Sequence, residues 1–141
     1  MKCIILAAGY ATRLYPLTEN YPKPLLPMGG RPILDWLVED IYSAGVVDEF
    51  IVVTNHKFVD QLQTWADMQI LPITVLDDGT ETNETRLGAV RDISLAVQEI
   101  QLSVSNNDDC LVLAGDNLLT FSLASFIKFA RDIGTSCVMC H

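Results

Sequence analysis

Two hydrophobic rhythms alternate along the chain. Short, nearly continuous apolar runs from Lys2 to Ala8, Phe50 to Thr54, Ile73 to Leu76 and Cys110 to Ala114 read as buried strands. A fifth run, Thr135 to Met139, reads the same way. Between them apolar residues recur every three or four positions. Ile33, Leu34, Leu37, Val38 and Ile41 predict a helix that starts at Pro32 and stops at Gly45. Val59 to Met68, about Thr85 to Ile100, and Ser122 to Ile133 predict three more helices. Asp77-Asp78-Gly79, the polar stretch Asn106 to Asp109, and Gly134 supply the breaks.

The resulting order is βαβαβαβαβ. Right-handed crossovers turn that order into a mainly parallel sheet covered on both faces, a Rossmann-like three-layer αβα sandwich. Ligands of such sheets bind beyond the carboxyl ends of the strands, where the winding direction reverses. With strand one central and beside strand four, the loops after Ala8 and Ala114 meet at that point. They carry Gly9 to Lys23 and Gly115-Asp116-Asn117.

Composition narrows the class. The chain has 141 residues, half of them apolar, which suits one domain burying roughly 70% of its unfolded surface. No internal repeat, linker or low-complexity tract divides it. There is no run of about 18 or more uncharged apolar residues and no signal-peptide layout, so the expected location is the cytoplasm. Cys3, Cys110 and Cys137 lie in apolar, strand-like runs and are expected as reduced thiols. The net charge of -9 argues against nucleic acid or an anionic membrane as partner. That charge is uneven: residues 1 to 31 hold Lys2, Arg13, Lys23 and Arg31 against Glu19, a local +3, which leaves -12 for the remainder. An anion site in an acidic body fits this distribution, and so does plain solubility.

The loop after the first strand carries the chemistry. Ala8-Gly9-Tyr10-Ala11-Thr12-Arg13 lacks the glycine spacing of a dinucleotide fingerprint, and no GxxxxGK[ST] loop exists. What remains is a small-residue strand end whose backbone N–H groups can approach an anion, followed by an arginine suited to bidentate phosphate contacts. Lys23 adds a compact charge between Pro22 and Pro24, which restrict its backbone. Taken singly, each of these is an ordinary turn glycine or solvated cation.

Together they resemble the sugar nucleotidyltransferases, also called NDP-sugar pyrophosphorylases. The matching residues are Ala7-Ala8-Gly9-Tyr10-Ala11-Thr12-Arg13-Leu14, Pro16, Thr18, Pro22-Lys23-Pro24-Leu25-Leu26-Pro27 and Gly30-Arg31-Pro32-Ile33. The likeness continues through Val52-Val53-Thr54 to Leu113-Ala114-Gly115-Asp116-Asn117 and covers most of the chain. It implies transfer of a nucleoside monophosphate from a nucleoside triphosphate to a sugar 1-phosphate or similar phosphorylated alcohol, with release of pyrophosphate. It assigns nucleotide binding to Leu6, Ala7, Ala8, Gly9, Tyr10, Ala11, Thr12 and Arg13. Arg13 would hold the triphosphate and departing pyrophosphate, Lys23 would bridge the reacting phosphates, and Asp116 would bind Mg²⁺. Asp116 also reads as a turn residue or helix cap.

Similar proteins read the base with a polar residue five positions before a glycine, and Asn83 and Gly88 have that spacing. An amide offers both donor and acceptor to a pyrimidine; a polar loop before a helix is the ordinary alternative. One departure stands out. Ala11 replaces the second loop glycine of many members, which alanine tolerates at negative φ and not at positive φ.

Cys137-Val138-Met139-Cys140-His141 spells the CxxCH haem pattern, but no export signal precedes it and it overlaps the fifth strand run. Zinc on those residues would need a fourth ligand, and His56 reads equally as a loop residue. Members of the family usually continue through a sugar-binding half. Residues 1–141 are therefore expected to form the N-terminal, nucleotide-binding portion of the domain, either as a fragment or with a second copy covering the C-terminal edge strand. A module that binds nucleotide without turnover is the alternative to an enzyme.

Overall fold

The computed structural model describes residues 1–103, 109–119, 121 and 123–139, with the backbone alone at 101–103. Ten elements follow in chain order: β1 (Lys2–Leu6), β2 (Pro27–Met28), β3 (Arg31–Pro32), α1 (Ile33–Ser43), β4 (Glu49–Thr54), α2 (Val59–Asp67), β5 (Ile73–Asp77), α3 (Ala89–Ser103), β6 (Cys110–Ala114) and α4 (Leu123–Ile133). Four strands form one parallel sheet in the order β5-β4-β1-β6.

The core explains why the apolar runs are continuous: strands of a parallel sheet are buried on both faces. Cys3, Ile5, Phe50 and Val52 face α1, α2 and α4, whose Leu34, Leu37, Leu62, Trp65 and Ile127 complete that layer. Ile4, Ile51 and Val53 point the other way, against Ala96 of α3. The sandwich is the three-layer one expected. β1 is central, and Leu6 stands level with Ala114 of β6 and Val53 of β4, so the loops after β1 and β6 emerge side by side.

Three expectations are corrected. Residues 135–139 form no strand among the described residues, and Val138 is 84% exposed. An apolar run becomes a strand only where its N–H and C=O groups find a ladder partner, and this one has none here. The third helix begins at Ala89, because Gly88 has φ of 84° and stands outside helical geometry. Pro32 is extended, with φ of -51° and ψ of 143°, and the helix begins one residue later. It closes a small antiparallel hairpin in which Gly29 and Gly30, both at positive φ, make the turn between β2 and β3.

Cys3 is buried, whereas Cys110 is exposed and Cys137 partly so; all three thiols are free. Residues 106–108, Ser122, Cys140 and His141, which carry parts of the helix break, the fourth helix start and the CxxCH pattern, lie outside the described residues. No helix among those described is long and apolar enough to cross a membrane.

Candidate active site

At the carboxyl ends of β1 and β6 lies a cleft of about 590 Å³, walled by Leu6, Ala7, Gly9 to Leu14, Lys23, Pro24, Asn83, Arg86 and Asp116. This volume falls in the range of small-molecule sites. Three cations, Arg13, Lys23 and Arg86, face it against the single carboxylate of Asp116. The cleft therefore favours a polyanion.

The loop is held from below by groups that leave its upper side free. The Asn55 side chain, buried at the end of β4, donates from Nδ2 to the Ala8 carbonyl at 3.0 Å and accepts the Phe58 amide at 3.1 Å. The Tyr10 hydroxyl donates to the Thr80 carbonyl at 2.9 Å. That phenol is 4% exposed, and burial raises its pKa and keeps it a donor. The Thr80 carbonyl also accepts the His56 amide at 2.9 Å, so the loops after β1, β4 and β5 share one hydrogen-bonded joint. His56 itself pairs with Asp77 at 2.6 Å, and this hydrogen bond raises its pKa.

Gly9 and Ala11 differ in what they require. A Cβ built on Gly9 would meet nothing within 4 Å, so the fold does not need glycine there and the vacant space opens on the cleft. Ala11 sits at φ 46° and ψ 43°, the one non-glycine residue at positive φ among those described. That conformation costs alanine about 1–2 kcal/mol. It is held by two bonds to the Ala11 carbonyl, from the Leu14 amide at 2.9 Å and from buried Thr18 Oγ1 at 2.7 Å. The methyl group thus occupies the geometry in which only glycine is unstrained.

Lys23 opens a 3₁₀ turn, Lys23–Leu25, whose neighbours Pro22, Pro24 and Leu25 are buried. Burial of these apolar anchors fixes the lysine's backbone while its side chain stays partly exposed. Its Nζ lies 2.7 Å from Asp116 Oδ2 across 93 residues of sequence. Gly115 makes this meeting possible: its amide donates to the Leu6 carbonyl at 2.8 Å, and a Cβ there would lie 3.0 Å from Ile5 Cγ2 and 3.2 Å from that same carbonyl oxygen.

Of the residues expected to bind nucleotide, Leu6, Ala7, Gly9, Tyr10, Ala11, Thr12, Arg13 and Asn83 line the cleft. Ala8 is buried with its carbonyl engaged by Asn55, and Gly88 serves the start of α3, its carbonyl accepting the Arg91 amide at 3.0 Å. Neither is a cleft wall. Arg86 is one that sequence reasoning passed over, although it stands between Asn83 and Gly88. As to metal, no group of three or more His, Cys, Asp or Glu side chains converges among the described residues. Mg²⁺ is commonly held by one or two carboxylates together with substrate phosphates, and Asp116 beside a polyanion cleft offers one of these.

A family profile described as nucleotidyl transferase matches residues 2–140. The chain belongs to the nucleotidyl transferase family. Among curated relatives, the bifunctional protein GlmU of Methanococcus vannielii is 31% identical over 138 residues, covering 96% of this chain and 29% of that protein. The UTP--glucose-1-phosphate uridylyltransferase of a Synechocystis species is 28% identical over 137 residues, covering 95% and 35%. The chain thus spans about a third of the length of these curated relatives. HddC from Yersinia pseudotuberculosis, solved in complex with GMP-PN, superposes with a TM-score of 0.73 at 23% identity, over 93% of this chain and 54% of that one. At that identity the superposition speaks for the fold, and it agrees with the nucleotidyl transferase sandwich.

Proposed function

We propose that residues 1–141 form the nucleotide-binding portion of a nucleotidyltransferase that moves a nucleoside monophosphate from a triphosphate to a sugar 1-phosphate or a similar phosphorylated alcohol. One observation carries this reading. The Arg13, Lys23 and Asp116 side chains, distant in sequence, open on one cleft beside a small-residue loop, with Lys23 and Asp116 2.7 Å apart. The relatives' names support it: the Synechocystis one is named UTP--glucose-1-phosphate uridylyltransferase, and a further one, from Danio rerio and 31% identical over 134 residues, mannose-1-phosphate guanylyltransferase catalytic subunit beta.

The reaction forms a bond from the acceptor's phosphate oxygen to the α-phosphorus and breaks the bond from that phosphorus to the bridging oxygen, whose electrons leave with pyrophosphate. It needs alignment and charge neutralisation more than a general base. Arg13 is suited to clamp the β- and γ-phosphates through its planar donors. Lys23, fixed by its buried turn, would lie between the incoming and reacting phosphates and offset the charge that builds on their oxygens. The free upper side of Gly9 and its neighbours lets backbone amides approach the phosphates closely. Asp116 would hold Mg²⁺, which supplies Lewis-acid neutralisation of phosphate oxygens when bound. Asn83, on the cleft wall, would contact the base.

Pyrophosphate release from a panel of nucleoside triphosphates and sugar 1-phosphates tests the proposal. Release that depends on both substrates supports it. The short span relative to the curated relatives favours one second reading, a module that retains triphosphate without turnover. Tight binding with no release under any pairing would select that reading and reject the first.

A further inference from the structure

Asn83 and Arg86 form a pair whose polarity has a consequence for the base. Asn83 Oδ1 accepts a hydrogen bond from Arg86 Nη1 at 3.3 Å, and both residues line the cleft. A guanidinium has five N–H donors and no acceptor, so only the oxygen of the Asn83 amide can face it. The arginine therefore settles the orientation of an amide that would otherwise present either end. Asn83 Nδ2 has no protein hydrogen bond among the described residues and remains available as a donor.

We infer that Arg86 acts as a positioning residue that turns the Asn83 amide so that its NH₂ meets the base, making the site selective for bases with a carbonyl at the recognised edge. These are the 4-keto pyrimidines uracil and thymine and the 6-keto purine guanine. A base with an amino group at the same place, such as cytosine, sets donor against donor and leaves both without a partner. This inference rests on the reading of the cleft as a nucleotide site with Asn83 at the base. It goes beyond that reading by naming the class of base and the residue that imposes the choice.

Uridine and cytidine triphosphates differ at the 4-position in the required way, so their dissociation constants, measured by calorimetry on this chain, give the test without requiring turnover. UTP should bind about 5- to 150-fold more tightly than CTP, since an unmatched polar contact costs about 1–3 kcal/mol. Arg86→Ala, which frees the amide to turn, should bring the ratio close to one. Arg86→Lys keeps a donor without an acceptor and should restore part of the preference. Asn83→Asp presents only acceptors and should favour CTP. Equal affinities in the unaltered chain would overturn the inference while leaving nucleotidyl transfer intact. An Arg86→Ala variant that weakens both ligands alike with the ratio unchanged would overturn it too, and would place Arg86 on the phosphates instead. Binding of neither triphosphate would reject both the inference and the nucleotide site beneath it.

Discussion

Asp92→Asn would measure what a buried acid costs the fold. Asp92 lies in the first turn of α3 and is 5% exposed, with Oδ1 lacking a hydrogen-bond partner among the described residues. Asp78 also has a buried, unpartnered carboxylate oxygen. Burial, and secondarily the charge of Asp78, pushes the Asp92 carboxyl up to about 6. A rise of roughly two units from the unfolded value amounts to about 3 kcal/mol in full. Solvent screening and relaxation around the carboxylate reduce the net cost to about 1–2 kcal/mol.

Because the folded pKa is raised, the native state holds the extra proton. Its contribution is fully present below about pH 4 and is lost as pH rises through about 6. Asparagine cannot ionise and escapes that loss. Unfolding of both proteins by denaturant at pH 4, 5, 6 and 7.5 should give similar stabilities at pH 4 and an advantage of about 1–2 kcal/mol for Asp92→Asn at pH 7.5. The difference between the two proteins is the useful quantity, since His56 and other carboxylates titrate in both. Parallel pH curves, or an asparagine variant that is weaker at pH 7.5, would refute the assignment of this cost to Asp92.

Four further substitutions probe the cleft. Ala11→Gly removes about 1–2 kcal/mol of left-handed strain and adds a partly offsetting cost in unfolded-chain entropy, so unfolding should show a gain of roughly 0.5 kcal/mol; a loss of stability would mean that φ is negative at this position. Gly115→Ala should cost about 1–3 kcal/mol, because its methyl group would meet fully buried Ile5 and the Leu6 carbonyl oxygen, and an unchanged midpoint of thermal unfolding would contradict that packing. Lys23→Ala and Asp116→Ala should each lower turnover of the active enzyme by about 10² to 10³, or roughly 3–4 kcal/mol, and full activity in both variants would remove them from the proposed mechanism.

Much of this architecture is legible locally. β1, β4 and α1 announce themselves because an uninterrupted apolar run and an apolar stripe at helical spacing have few other ways to be buried. The cleft's cationic side is legible for a related reason: Gly9, Arg13 and Lys23 fall on one polar turn after a central strand. What escaped depends on hydrogen-bond partners that composition does not reveal. Residues 135–139 have a strand's composition and no ladder to join among the described residues. The positive φ of Ala11 is held by bonds to its carbonyl from Thr18 and the following turn. The joint at the Thr80 carbonyl, reached by Tyr10 across 70 residues, has no local signature. The hairpin at Gly29-Gly30 is different, because a Gly-Gly pair between two short extended segments was a signal available in the sequence.

The cleft divides into a fixed part and an exchangeable part, and the division suits its chemistry. The loop's backbone carbonyls are bonded by Asn55 and Thr18, and its Tyr10 side chain is tied to the Thr80 carbonyl, so under the proposed function its amides would meet phosphates without a further ordering cost. Lys23 and Asp116 are instead bonded to each other. Under the proposed function, a bound triphosphate would offer Lys23 a partner of opposite charge and Mg²⁺ would offer one to Asp116, so the pair could separate with neither charge left uncompensated. An exposed ion pair of this kind is worth only about 0–1 kcal/mol. Its loss therefore subtracts little from affinity, while its presence keeps the lysine and carboxylate in the cleft before substrate arrives.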